Sequence, residues 1–359
     1  MRKNVKLPSI ILCTALLCSC ADSNTVNDTS SFTSVSNPFD ETASVTNISE
    51  DSFVIETLPP FSKPQESDAE DDDFSKYQEA GMEFGDYSIE GKSTVKYSGG
   101  EISLSFVSDS AKNKYDAEIG YMAFINGVPQ KLSLNGSEKS ELVSISQKPD
   151  TKQTVTLTFT PEITEEYEQE KIFKVKLMTV LHPSYRPKDG FLGFGNAHSG
   201  QSFFEFELEA DTTPQVIDGF SYASDCESIL ATAKVKEQYN LSDAKISGTN
   251  MISLFDAECN EHSLSIDKGS DKLDISLLMY GGEPDECVVY LYKNNELMKL
   301  GENSGMRFTS KAGYINEYKV TLDDIKAGDI IYAVEVPLNA ETGSMNIRKS
   351  ISILVTENT

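Results

Sequence analysis

The chain contains no tryptophan, only three histidines, and 31 basic side chains against 57 acidic ones. Each shortage closes a class of function. With histidine only at 182, 198 and 262, and no His-Glu-x-x-His or His-x-His spacing, the sequence supports no zinc site, and neither a metal nor a cofactor is expected. The acid excess gives a formal net charge of −26. Such a surface repels phosphate backbones, so nucleic acid is excluded as a partner. Six cysteines occur, none in a Cys-x-x-Cys pair, so a redox motif and a dense disulfide framework are both absent.

What is present begins with an export signal. Arg2, Lys3 and Lys6 precede an apolar run from Leu7 to Leu17, which ends at Cys18-Ser19-Cys20. That run is too short to span a bilayer as a helix, which takes roughly 20 residues. Among Cys13, Cys18 and Cys20, only Cys20 follows a small residue, as signal cleavage requires. Leu17-Cys18-Ser19-Cys20 resembles the lipobox of bacterial lipoproteins. The resemblance implies removal of residues 1–19, acylation of Cys20, and a cell-membrane lipid anchor with the protein facing outside the cytoplasm. Without its three signal cations the chain would carry 57 acidic and 28 basic groups, a net charge of −29.

Residues 20–80 are expected to form the lipidated cysteine and a disordered acidic tether. Ser, Thr, Asn, Asp, Glu and four prolines dominate this stretch, which ends in Asp68-Ala69-Glu70-Asp71-Asp72-Asp73. Such a composition buries too little apolar surface to offset chain entropy. The acidic run lacks the glycine and the ligand spacing of an EF-hand calcium loop.

Beyond residue 80 the pattern turns to short alternating runs bounded by Gly, Asn, Asp and Pro, which is a strand signal. Ile102, Leu104 and Phe106 alternate with Ser103 and Ser105. Val155, Leu157 and Phe159 alternate with threonines, and Phe204, Phe206 and Leu208 with glutamates. The second half repeats the order of the first. Thr94–Leu104 is echoed by Leu264–Leu277, Met122–Leu132 by Val289–Leu300, Lys171–Val180 by Asp329–Val336, and Ser202–Leu208 by Asn346–Leu354. Tyr332, after the turn that ends in Gly328-Asp329, resembles the corner tyrosine of immunoglobulin-like domains. The Cys, Trp, Cys set of antibody domains is missing. The resemblance implies a looser bacterial Ig-like or fibronectin-like sandwich. The fold expected is therefore all-β, with two tandem Ig-like β-sandwiches over residues 81–211 and 251–359.

The connection, residues 212–250, holds Ser224-Asp225 as a cap for a short helix through Ile229, Leu230, Ala233 and Val235. An edge strand ending near Tyr239 is the alternative. Cys226, Cys259 and Cys287 leave two states open, one disulfide with one free thiol or three buried thiols.

No catalytic residue is assigned, and the chain is not expected to be an enzyme. Ser93-Thr-Val-Lys96 and Ser265-Ile-Asp-Lys268 fit Ser-x-x-Lys, but strand geometry sends their serine and lysine to opposite faces. Gly190-Phe-Leu-Gly193-Phe-Gly195 reverses the spacing of a dinucleotide fingerprint. The segment from His182 to His198 is the unusual one. It joins the last two strands of the first sandwich, where loops carry contacts on a rigid scaffold. Tyr185, Arg186, Phe191, Phe194 and His198 are its candidate ligand-binding residues; Phe191 and Phe194 have the alternative of folding back over the core. The function expected is a surface-anchored binding or structural module for an extracellular protein or glycan. The alternatives are a carbohydrate-binding module of a glycan-uptake system and a hydrolase with carboxylates in a sandwich cleft.

Overall fold

The computed structural model describes residues 83–85, 87–88, 94–110, 114–188, 193–261, 263–282, 285–338 and 346–358. The export signal, Cys20, the expected tether, Phe191 and His262 lie outside the described residues.

Alternation builds the first sandwich. Sheet I runs Glu83–Gly85, Ile102–Asp109, Lys152–Phe159, Ser133–Leu134 in spatial order. Leu104, Phe106, Val155, Leu157 and Phe159 point into a core from which water is excluded. The opposite face is a ladder of hydroxyls, with Ser103 Oγ 3.1 Å from Thr158 Oγ1 and Ser105 Oγ 2.8 Å from Thr156 Oγ1. Such cross-strand pairs add modestly to sheet stability. Sheet II closes the core with Thr94–Tyr97, Gly200–Ala210, Ile172–Leu181, Ala117–Ile125 and Val128–Gln130, and Val143–Gln147 also pairs with Ala117–Ile125. The register slips where Leu177 faces Phe204 but Met178 faces Ser202. This bulge leaves Phe203 as the extra residue. Phe203 and Phe204 both serve the core side: Phe203 lies 4.8 Å from Phe84 and 5.3 Å from Phe106, while Phe204 stacks on Tyr87 at 4.2 Å.

The second sandwich repeats most of these pairings; Ser133–Leu134 has no counterpart there, and Glu227–Leu230 takes the corresponding sheet edge. Sheet III orders Tyr222–Ala223, Gly305–Thr309, Glu286–Lys293, Ile330–Pro337, Ile353–Glu357 and Leu264–Ile266. Sheet IV orders Glu227–Leu230, Tyr314–Leu322, Leu273–Tyr280 and Met251–Asp256. In each copy a short N-terminal strand pairs in parallel with the last strand, Thr94–Tyr97 with Gly200–Ala210 and Leu264–Ile266 with Ile353–Glu357. Each also has a two-residue hairpin turn, Asn126-Gly127 and Asn294-Asn295, with positive φ at both positions. The expectation of an all-β chain with two tandem sandwiches matches this architecture.

The connection differs in detail from its expected form. Glu227–Leu230 is an edge strand, paired antiparallel with Tyr314–Glu317. The first helix begins only at Ala233, because Thr232 supplies the cap by accepting from the Val235 N–H; a second helix, Asp243–Ser247, is capped by Ser242. Tyr239, Leu241 and Ile246 cover Phe255, Leu278, Tyr280 and Ile315 on the outer face of sheet IV.

Sheets II and III pack on one another through the faces turned away from their own cores. Met122, Phe124, Met178 and Val180 meet Val288, Tyr290, Tyr292, Tyr332, Val334 and Val336 in one buried cluster. Aligning the hairpins, in which Ile125 pairs with Val128 and Lys293 with Glu296, makes Met122 equivalent to Tyr290 and Phe124 to Tyr292. By the same register Met178 matches Val334 and Val180 matches Val336. The two copies thus meet through equivalent faces, the arrangement of an isologous dimer, here within one chain.

Candidate functional site

The loop from His182 to His198 lies at the edge of this joint. His182 and His198 both have positive φ, 46° and 62°, and bracket a turn closed by the His198 N–H donating to the Leu181 carbonyl at 2.6 Å. The His182 N–H donates to the Glu118 carbonyl at 2.7 Å, and the Glu118 N–H donates to His182 Nδ1 at 3.3 Å. Ser184 Oγ donates to the Glu118 carboxylate. The loop is therefore fastened to the strand Ala117–Ile125 at its start.

Its side chains reach across to the second sandwich. Arg186 donates from Nη1 to the Gly328 carbonyl at 2.6 Å and from Nη2 to Asn294 Oδ1 at 3.0 Å. Asn295 Nδ2 returns a bond to the Pro183 carbonyl at 3.0 Å. Phe194 is buried, 6.1 Å from the half-buried Tyr185 and 4.7 Å from His198 between ring centroids. His198 is buried too; its Nε2 lies 2.9 Å from the Tyr185 carbonyl and its Nδ1 3.0 Å from Ser352 Oγ in the other sandwich. Four of the five candidate ligand residues are thus brought together, with Arg186 and His198 bonded to the second sandwich; Phe191 lies outside the described residues.

Tyr332 apart, the other residues of the joint had no sequence signature. Arg307 grips Glu166 with two bonds of 2.7 Å and sits 4.9 Å above the Tyr222 ring. Tyr290 donates to the Gly127 carbonyl at 2.8 Å. Lys176 is buried and donates to the Pro337 carbonyl at 2.9 Å; burial lowers its pKa, and Glu205 opposes that shift. Lys349 Nζ lies 4.0 Å from the Tyr332 ring centroid, over its face, and Tyr332 stacks on Tyr292 at 5.2 Å. Tyr332, the residue resembling a corner tyrosine, gives its hydroxyl hydrogen to Asn295 Oδ1 at 3.2 Å. One signal was available: Met122 and Phe124 are apolar at positions that alternation assigns to the wet face.

Cys226, Cys259 and Cys287 are all free thiols; Cys287 is buried and the other two partly so. Burial raises the Cys226 thiol to about 12 and pushes Cys287 well up, so neither is a ready thiolate. Among the described residues no group of three or more His, Cys, Asp or Glu is placed to hold a metal ion. An open depression of about 380 Å³ lies on sheet IV beside the helices, lined by Asp274, Ser276, Lys319 and Thr321.

The sequence matches no known protein family and no curated protein. Among solved structures it is similar to the CARDB domain of a Pyrococcus furiosus protein solved with di-metal ions, at 12% identity and a TM-score of 0.20, over 30% of this chain and 86% of that one. Red sea bream transglutaminase matches at 7% identity and 0.19, over 78% of this chain and 31% of that one. The periplasmic chaperone SfaE matches at 11% and 0.19, over 77% of this chain and all of that one. The chain spans less than a third of the transglutaminase, and similarity at these scores carries no argument about function.

Proposed function

We propose that the chain is a surface-anchored, non-enzymatic binding or structural module, held to the membrane by a lipid on Cys20 and directed at an extracellular protein. The observation that carries this reading is the joint. Fixing two sandwiches through Tyr290, Arg186, Arg307 and a shared apolar face yields a rigid block, suited to presenting surfaces at a set angle. The loop at its edge contributes Tyr185 and the exposed Arg186 to that surface, while Phe194 and His198 hold it in place. A protein partner is favoured over a glycan because Phe194, one of the aromatics available for stacking on sugar, is turned into the joint.

The test is in two steps. Cys20→Ala should move the protein from the membrane fraction to the medium and abolish lipid labelling; retention with labelling unchanged removes the anchor. The released chain then serves as bait on intact extracellular material. A single saturable protein partner, weakened by about 1–2 kcal/mol in Tyr185→Ala, is the expected result. Saturable binding to glycans alone would transfer the reading to carbohydrate recognition.

A further inference from the structure

A short relay of hydrogen bonds crosses the joint, and the carbonyl at one end of it fixes the role of one ring nitrogen. His198 Nε2 faces a carbonyl, that of Tyr185, so it must carry hydrogen. In a neutral ring Nδ1 is then an acceptor, and Ser352 Oγ, 3.0 Å away, donates to it. Ser352 Oγ in turn accepts from Lys349 Nζ at 2.8 Å. The direction runs from Lys349 through Ser352 to His198 and on to the Tyr185 carbonyl. A proton on Nδ1 reverses the middle link: the serine hydroxyl then faces two donors, and its own hydrogen loses its acceptor.

We propose that the Lys349, Ser352 and His198 relay is an acid-released latch, which lets the two sandwiches part at low pH while each keeps its own fold. The surroundings favour that outcome. Lys349 comes from the strand Arg348–Lys349 of the second sandwich and lies against Gly200 and Met178 of the first; a Cβ added at Gly200 would come within 2.9 Å of Lys349 Cβ and 2.7 Å of Met178 Cε. The Ser352 hydroxyl, the Tyr332 ring and the Ser350 carbonyl receive its amine, and among the described residues no carboxylate pairs with it. From the loop, Arg186 adds positive charge beside His198, and His182, itself lowered by burial, adds more only once it is protonated. The carboxylates facing this corner have other partners. Glu118 accepts from Ser184, Asp329 accepts from Asn294 Nδ2, and Glu335 accepts from Arg348 at 2.8 Å. Tyr332 and Tyr292, which stack beside Lys349, are raised by burial far above the acid range.

Burial holds His198 down to about 3 in the closed joint, with Lys349 adding to the shift. Solvent would return it to roughly 6.5. A histidine depressed in the closed state stabilises that state above 6.5 and loses the contribution as pH falls toward 3. Across this window each unit of pH multiplies the open population by up to about ten. Burial lowers Lys349 as well, so its contribution has the same sign, over a window that runs down from its ordinary value of about 10.4.

The experiment follows the full chain by small-angle scattering and far-ultraviolet circular dichroism from pH 7.5 to 3. The radius of gyration should grow while the strand signal is retained. His198→Gln keeps a donor for the Tyr185 carbonyl but cannot be protonated, and Lys349→Met keeps the stem without the amine. Each should lower the midpoint of expansion by at least one pH unit. Expansion that coincides with loss of strand signal overturns the latch. So does a midpoint unmoved in both variants, or no expansion down to pH 3.

Discussion

The two sandwiches share most of their pairings yet differ in what covers them. In the first, none of the described residues covers the outer face of sheet I, and its strand Ile102–Asp109 alternates, Ser103 and Ser105 outward and Leu104 and Phe106 inward. In the second, the connecting segment adds Tyr222–Ala223 to sheet III and Glu227–Leu230 to sheet IV, and two helices roof part of sheet IV. Sheet III is covered on both sides. Its strand Ile330–Pro337 is buried at every position, as is Cys287–Tyr292 in the neighbouring strand. One framework therefore tolerates two surface regimes, and the number of covered faces, not the pairing order, decides how apolar a strand must be.

That comparison predicts a gradient of sensitivity. Tyr290→Ala should be the most damaging change, because it empties a fully buried site between the copies and leaves the Gly127 carbonyl without its donor. A loss of about 3–5 kcal/mol is expected from urea denaturation, the range of an aromatic removed from a core. A loss typical of a surface residue would mean that the joint is dispensable. Gly127→Ala comes next. Gly127 has φ +85°, and an added Cβ would fall 2.5 Å from Leu338 Cδ2 and 2.9 Å from Val288 Cγ2. We expect about 1–3 kcal/mol. Thr158→Ala on the bare hydroxyl ladder should cost least, about 0.5 kcal/mol. If Thr158→Ala rivalled Tyr290→Ala, the outer face of sheet I would have to be covered as well.

The two sandwiches and their repeat were legible because strand alternation and turn residues are local signals. Asn126-Gly127 and Asn294-Asn295 mark equivalent hairpins without any knowledge of the fold. The joint was half legible. Tyr121-Met122-Ala123-Phe124-Ile125 and Val288-Val289-Tyr290-Leu291-Tyr292 are apolar on both faces, and a strand of that kind needs two covers. The role of the loop was not legible. The partners of Arg186 are a carbonyl and an amide oxygen more than a hundred residues away, Gly328 and Asn294, and neither has any composition to read. The connection misled for a related reason: Ile229 and Leu230 suit a helix as well as a strand, and only pairing with Tyr314 and Ile315 decides between them.

The joining of equivalent faces within one chain has a consequence for the concentration at which it operates. A dimer formed by such faces falls apart when diluted, and its population depends on how much protein surrounds it. Here the second face is tied to the first by the short stretch between Asp211 and Tyr222, which holds it at an effective concentration on the order of millimolar whatever the bulk concentration. A single molecule, with no neighbour of its own kind, closes the joint as completely as a crowded layer of them.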